Sequence, residues 1–121
     1  MAKTGVIKIT QRADFDAVMA AGVSASSPHF ALHIRRPALR NRIGAVVPKR
    51  WAKNAVTRNA IKRQIYALVA QSQFHTEPSD MVVRLRKTFQ RTEFISAASL
   101  ALKQTVRTEL RQLFDKAFQT P

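Results

Sequence analysis

The apolar positions along this chain change period several times, and each change marks an element. Phe15, Val18 and Met19 fall at helical spacing. Thr10 before them supplies an N-cap and Gly22 after them a stop, so a first helix is predicted between the two. Residues 1–9 read as a flexible basic arm or a short extended segment, and Gly22–Pro28 as a Ser-rich connection. From His29 the period falls to two. Phe30, Leu32 and Ile34 share one face, and His29, Ala31, His33 and Arg35 the other, which predicts a half-buried strand. The segment Arg36–Arg42 reads as a basic hairpin loop. A second strand follows from Arg42 to Val47, with Ile43, Ala45 and Val47 on one face. Pro48 ends it, because proline has no N–H to give to a ladder.

Helical spacing returns over roughly Asn54–Gln71. Ile61, Ile65, Leu68 and Val69 form a packing stripe, while Arg58, Asn59, Lys62, Arg63 and Tyr66 occupy the adjoining sector. Glu77, Pro78 and Ser79 make a turn. A third strand, Met81–Arg86, alternates Met81, Val83 and Leu85 against Val82, Arg84 and Arg86. A last helix is predicted from near Thr92 to Phe118, its core stripe being Ile95, Leu102, Val106, Leu110, Leu113 and Ala117. Lys103, Arg107 and Arg111 recur every four residues on its outside, mixed with Glu109 and Asp115. Helix, two or three strands, helix, strand, helix describes an α+β sandwich, with helices on one sheet face and the other face partly open.

At 121 residues, 45% of them hydrophobic, the chain is expected to be one domain, 1–121, with enough apolar surface for a small core. The charge changes the picture more. Net charge is +14, and no Asp or Glu occurs between Ala17 and Thr76. Within that window the run Lys49–Arg63, KRWAKNAVTRNAIKR, carries six of the 21 basic residues. A positive stretch of this length calls for an external polyanion, and a nucleic-acid backbone is the fitting one. The absence of cysteine excludes disulfide frameworks and Cys-based zinc sites. The N-terminal residues lack the apolar region of a signal peptide, and no apolar run is long enough for a bilayer span, so a cytoplasmic protein with no membrane partner is expected.

The acids speak against a protein-borne nuclease site. Two-metal hydrolysis needs clustered carboxylates, whereas Asp14 and Asp16 point about 200° apart on a helix and the other acids are scattered in sequence. His29 and His33 lie four apart on a strand face, but no third ligand accompanies them. Neither a catalytic residue nor a metal ligand is assigned. Phe15 and Met19 read equally as core or as a binding wall, and Trp51 as a loop anchor or a stacking platform. The basic row of the last helix reads as a solubility face.

The pattern K-R-x-x-K-N-A-V-x-R-N-x-x-K-R after the strand IGAVV resembles the signature of the bacterial ribonuclease P protein family. The resemblance extends over nearly the whole chain. Asp14-Phe15 with Val18 and Gly22 is similar to the family's first helix, Phe30–Ile34 to its long strand, and Asp80–Lys87, ending in an Arg-Lys pair, to its late strand. It implies a mixed sheet in αβββαβα order with a left-handed βαβ crossover, where physics alone favours a right-handed one. It also implies a non-catalytic subunit that binds a catalytic RNA and the 5′ leader of precursor tRNA. No obligate protein partner is implied, and magnesium is expected to be bound mainly by the RNA. Carried over by position, Lys49, Arg50, Lys53, Arg58, Asn59, Lys62 and Arg63 face the catalytic RNA. Phe15, Met19, His33, Arg84, Arg86 and Lys87 line the leader cleft, with Phe15 and His33 offering rings for unstacked bases.

The chain departs from the family pattern at Ala60 and Tyr66, where arginine is usual. Met19 and His33 stand where many members carry Phe and Tyr, and the loop Trp51-Ala52-Lys53 replaces a shorter glycine-containing one. Both arginine losses remove a cation from the comb. A ribosomal or ribosome-assembly protein of similar fold is the alternative that composition alone leaves open; a metal-dependent nuclease acting alone is the third reading.

Overall fold

The computed structural model describes residues 6–36, 38–71, 78–89 and 100–118. Their order is β1 (Ile7–Lys8), α1 (Arg12–Ala20), β2 (Ala25–Ser26), β3 (Phe30–Arg35), β4 (Arg42–Val46), α2 (Ala55–Gln71), β5 (Asp80–Leu85) and α3 (Leu100–Phe118). The five strands form one mixed sheet in the order β1-β4-β5-β3-β2. β4 runs parallel to β1 and to β5, while β3 is antiparallel to β5 and to β2. Residues 7–9 are thus extended, with Ile7 and Lys8 paired to β4 and Ile9 buried, while residues 1–5 of the predicted arm lie outside the described residues.

One expectation about the sheet is corrected. The loop after β3 is not a hairpin, because β5 lies between β3 and β4. The loop is instead tied to the entry of β5: Ala38 N–H donates to Pro78 O (3.1 Å), and Ser79 N–H donates to Asn41 Oδ1 (2.9 Å). The face expected to be partly open carries α1 over part of it, with Val46 and Arg84 left half-buried at the edge. Phe30, Leu32, Ile43, Met81, Val83 and Leu85 pack against the α2 stripe (Ile61, Ile65, Leu68, Val69) and the α3 stripe (Leu102, Val106, Leu110, Leu113), to which Phe114 adds. On the opposite face Ile9, Val18 and Val82 make a second, smaller cluster under α1, with Phe15, Met19 and Val46 at its edge. β3 is therefore covered on both sides, Ala31 being 1% exposed and His33 5%. Alternation read from sequence treated the small Ala31 and the polar His33 as solvent-facing; a helix on top makes them interior.

Helix boundaries follow local chemistry, with one exception. Asn54 caps α2 through Oδ1, which accepts from Val56 N–H at 2.8 Å. Gly22 takes φ +93° just past α1, a conformation only glycine adopts without strain. Thr10 does not cap α1: the cap position is Gln11, whose backbone carbonyl accepts from Asp14 and Phe15 while its side chain makes no cap bond. The predicted helix start near Thr92, the core position Ile95, and Glu77 of the predicted turn lie outside the described residues.

Candidate nucleic-acid interface

The cationic segment begins in a tight turn. Trp51 and Ala52 N–H both donate to Pro48 O at 3.1 Å, which presents Lys49 and Arg50 outward. Ala52 is buried in the main core and Trp51 packs against it, so the indole is the loop's anchor, with the Arg50 guanidinium 5.4 Å over its ring. Arg58 departs from its expected role. Its Nη1 donates to Ala52 O (3.0 Å) and Lys53 O (2.8 Å), fastening the loop to the first turns of α2. It is a positioning residue for the comb, since a guanidinium that holds two carbonyls is already directed inward. Lys49, Arg50, Lys53, Asn59 and Arg63 are exposed and Lys62 is half-buried. No ion pair involves these cations among the described residues.

The two departures from the family pattern look different in three dimensions. Ala60 is 6% exposed, on the packed side of α2, so it is not a comb position and its lack of charge thins nothing. Tyr66 is half-buried, and Lys8 Nζ from β1 sits 4.5 Å over its ring. A cation absent at position 66 is thus supplied from the neighbouring strand through a cation–π contact.

On the other face, α1 is set by a three-residue clamp. Arg42 of β4 makes a two-pronged bond to Asp80 of β5 (2.7 and 2.9 Å), and its third nitrogen reaches Asp14 of α1 at 3.2 Å. The hydrogen bonds to Asp80 come first among the causes that hold this guanidinium well above its ordinary pKa. The clamp lays Phe15 directly on Gly44: a Cβ at that glycine would fall 2.3 Å from Phe15 Cε1. Glycine in a strand interior marks such a close approach, so IGAVV carried a signal that the hydrophobic pattern did not register. The clamp left none, because Asp14, Arg42 and Asp80 are far apart in sequence.

Phe15, Met19, Val46 and Arg84 are half-buried and border the seam between α1 and the sheet. His33 forms its floor rather than a stacking surface, which corrects the ring-stacking expectation. Its Nδ1–H donates to Gly22 O at 2.9 Å, leaving Nε2 to accept from Arg84 Nε–H at 3.4 Å. Burial, and then the nearby Arg84 charge, lower its pKa despite the Gly22 bond, so the neutral ring is favoured. Arg86, one residue past β5, donates to Ser27 O (2.7 Å) and Phe30 O (3.4 Å) and braces the start of β3. Lys87 is exposed.

This chain can be set beside known proteins. A family model described as Ribonuclease P matches residues 5–118. The chain belongs to the ribonuclease P protein family. The Ribonuclease P protein component of Ralstonia pickettii is 38% identical over 114 residues, covering 91% of this chain and 78% of that protein. That of Burkholderia mallei is 33% identical over 94 residues, covering 74% of this chain and 65% of its own length. The solved ribonuclease P protein of Staphylococcus aureus superposes with a TM-score of 0.69 at 25% identity, covering 95% of this chain and 100% of that one. The protein from Thermotoga maritima gives 0.69 at 24% identity, which shows the shared fold.

Within this family's fold, the remaining polar contacts are scaffolding. Glu109 of α3, expected on the outside, turns inward. It accepts from Ser27 Oγ, from His29 N–H (2.7 Å) and from His29 Nδ1 (2.8 Å), and the His29 ring stacks on Phe89 at 3.9 Å. His29 and His33 therefore answer to different partners and do not form a ligand pair. Among the described residues no three His, Cys, Asp or Glu side chains gather as a metal site. The carboxylates that do converge, Asp14 and Asp80, close on a guanidinium, which disfavours a cation between them.

Proposed function

We propose that this chain is the protein subunit of ribonuclease P. It binds the catalytic RNA through the 49–63 segment and the 5′ leader of precursor tRNA along the α1–sheet seam. It thereby assists endonucleolytic removal of the leader to give the mature tRNA 5′ end, in the cytoplasm. The observation that carries this is the division of cations. On one side of the sheet, Lys49, Arg50, Lys53, Lys62 and Arg63 stand without acidic partners among the described residues, on a turn and helix held rigid by Arg58. On the other, half-buried Arg84 shares the α1-covered face of the sheet with the cluster that Phe15 and Met19 border, the combination a single strand needs for phosphate and unstacked base together.

The chemistry is assigned to the RNA. Magnesium would supply charge neutralisation and an activated water there, and the described protein residues do not fit a site for it, since Asp14 and Asp80 are spent on Arg42. The protein's part is to hold the leader and neutralise phosphate. Arg84 is aimed by His33, His33 by the carbonyl of Gly22, and Phe15 by Gly44.

The test is cleavage of precursor tRNA by the partner RNA, with and without the protein, across a magnesium series. The protein is expected to lower the magnesium required and to favour substrates with a leader. Cleavage by the protein alone would overturn the assignment of chemistry to the RNA. Failure to stimulate the RNA at low magnesium would overturn the subunit reading.

A further inference from the structure

α2 presents its RNA-facing comb on one flank, and the other flank meets α3 along a groove of about 590 Å³ lined by Gln64, Lys103, Gln104, Arg107, Thr108 and Arg111, with Leu100 at its end. Every lining residue but Leu100 carries a polar or cationic side chain, and among the described residues no acid belongs to it. The three cations are four residues apart, so at 1.5 Å rise per residue they stand about 6 Å apart in a row. The middle one is fixed: Arg107 Nε donates to Gln64 Oε1 at 3.0 Å and its Nη1 reaches Gln71 Oε1 at 3.5 Å. Both partners are neutral amides, so they orient the guanidinium without cancelling its charge. Glu109, the acid that would offset the row, is drawn to the far side of α3 by Ser27 and His29.

A solubility face needs neither a concave shape nor an oriented member. From this geometry we infer that the α2–α3 groove is a second docking site for an RNA phosphodiester backbone, separate from the 49–63 comb and across the sheet from the leader seam. A concave wall of one sign concentrates the potential that attracts a polyanion, and a row of three cationic heads suits the repeating charge of a phosphate strand. Lys103 and Arg111 contact phosphate directly, and Arg107 joins them from a preset position. The inference rests on the reading of the chain as an RNA-binding subunit. It adds a surface on α3 that allows one structured RNA to hold α2 from both flanks.

The experiment measures binding of the full chain to the catalytic RNA over a range of salt concentrations. It compares the wild type with the double variant Lys103→Gln/Arg111→Gln, which spares the interhelical tie of Arg107. Two lost phosphate contacts should flatten the log–log salt slope by about 1.4–1.8, and weaken binding roughly 5- to 10-fold per cation at 0.1 M salt. A probe reports position independently. Because the chain has no cysteine, Gln104→Cys carries a tethered iron chelate into the groove, and it should cut the catalytic RNA at nucleotides different from those cut from Val56→Cys at the start of α2. Wild-type binding together with an unchanged slope in the double variant, or no cuts from Gln104→Cys, overturns the groove site and makes the row a solubility face or a surface for an acidic protein. If the wild type itself fails to bind that RNA, the proposed function falls instead.

Discussion

Replacing Gly44 by alanine tests whether the seam is built as described. The added Cβ would lie 2.3 Å from Phe15 Cε1 and 2.8 Å from Cζ. Carbon atoms rest about 3.5–4.0 Å apart, so the ring must move by more than an ångström or α1 must lift. Neither is easy: the ring borders the Ile9–Val18–Val82 cluster, and Asp14, the residue before it, is held by Arg42. Overpacking of this kind costs about 1–3 kcal/mol. Working against it, alanine is intrinsically better than glycine in a strand by roughly 0.5–1 kcal/mol. The net expectation for Gly44→Ala is a loss of about 1–2 kcal/mol in urea unfolding, accompanied by weaker discrimination between precursor tRNA and mature tRNA. In a Phe15→Ala background the clash is gone, so the same substitution should be neutral or slightly stabilising. A double-mutant cycle reads this change of sign directly. Additive effects of the two substitutions, or a Gly44→Ala protein with wild-type stability and leader preference, would refute the placement of Phe15 on Gly44 and the seam with it.

The other predictions separate fastening from binding. Arg58→Ala should lower stability by about 0.5–1.5 kcal/mol through the carbonyl bonds it loses, which water partly replaces, while leaving the salt slope of RNA binding nearly intact; Lys62→Gln should flatten that slope by about 0.9 with little effect on melting. A reversal of this pattern would return Arg58 to the interface. Asp80→Asn should cost on the order of 3 kcal/mol, because it leaves the Arg42 guanidinium half-buried with only the longer bond to the half-buried Asp14; a change under 0.5 kcal/mol in chemical denaturation would contradict the clamp. His33 gives a pH signature. Its folded pKa lies below the ordinary 6.5, so the unfolded chain binds the extra proton first and stability falls as pH drops from about 6.5 through the folded value. Melting curves between pH 7.5 and 5 should show this slope in the wild type and less of it in His33→Gln; identical pH dependence in both would exclude the buried neutral ring.

Much of this was legible from the chain, and the reason is periodicity. Each packing stripe of α2 and the described part of α3 is continuous in sequence, as are the alternations of β3, β4 and β5, so local pattern sufficed to locate them. Sheet order was not legible, because β5 inserts between β3 and β4 by pairing across 38 to 55 residues. The site divides in the same way. The cations of the comb were visible as a run, and Phe15, Met19 and Arg84 lie half-buried on the α1 side of the sheet. What a run cannot show is which member turns inward. Arg58, Arg86 and Ala60 differ from their neighbours only in the direction their Cβ vectors take once the loop, the strand end and the helix are packed.

That distinction bears on how so basic a chain folds without its polyanion. Of the described acids, Asp14 and Asp80 grip Arg42, Glu109 grips Ser27 and His29, Asp16 pairs at 3.9 Å with Arg12, and Asp115 is exposed. Three carboxylates are thus spent at two joints: α1 to the sheet, and α3 to the β2–β3 corner. None neutralises the 49–63 segment. An acid placed there would relieve self-repulsion in the free protein but would compete with phosphate on binding. Putting the acids at the joints fixes the angles between binding surfaces and leaves the surfaces themselves positive. The electrostatic strain of the free chain is then relieved by the RNA it binds, and the same arrangement that makes the protein sensitive to salt directs it to a polyanion.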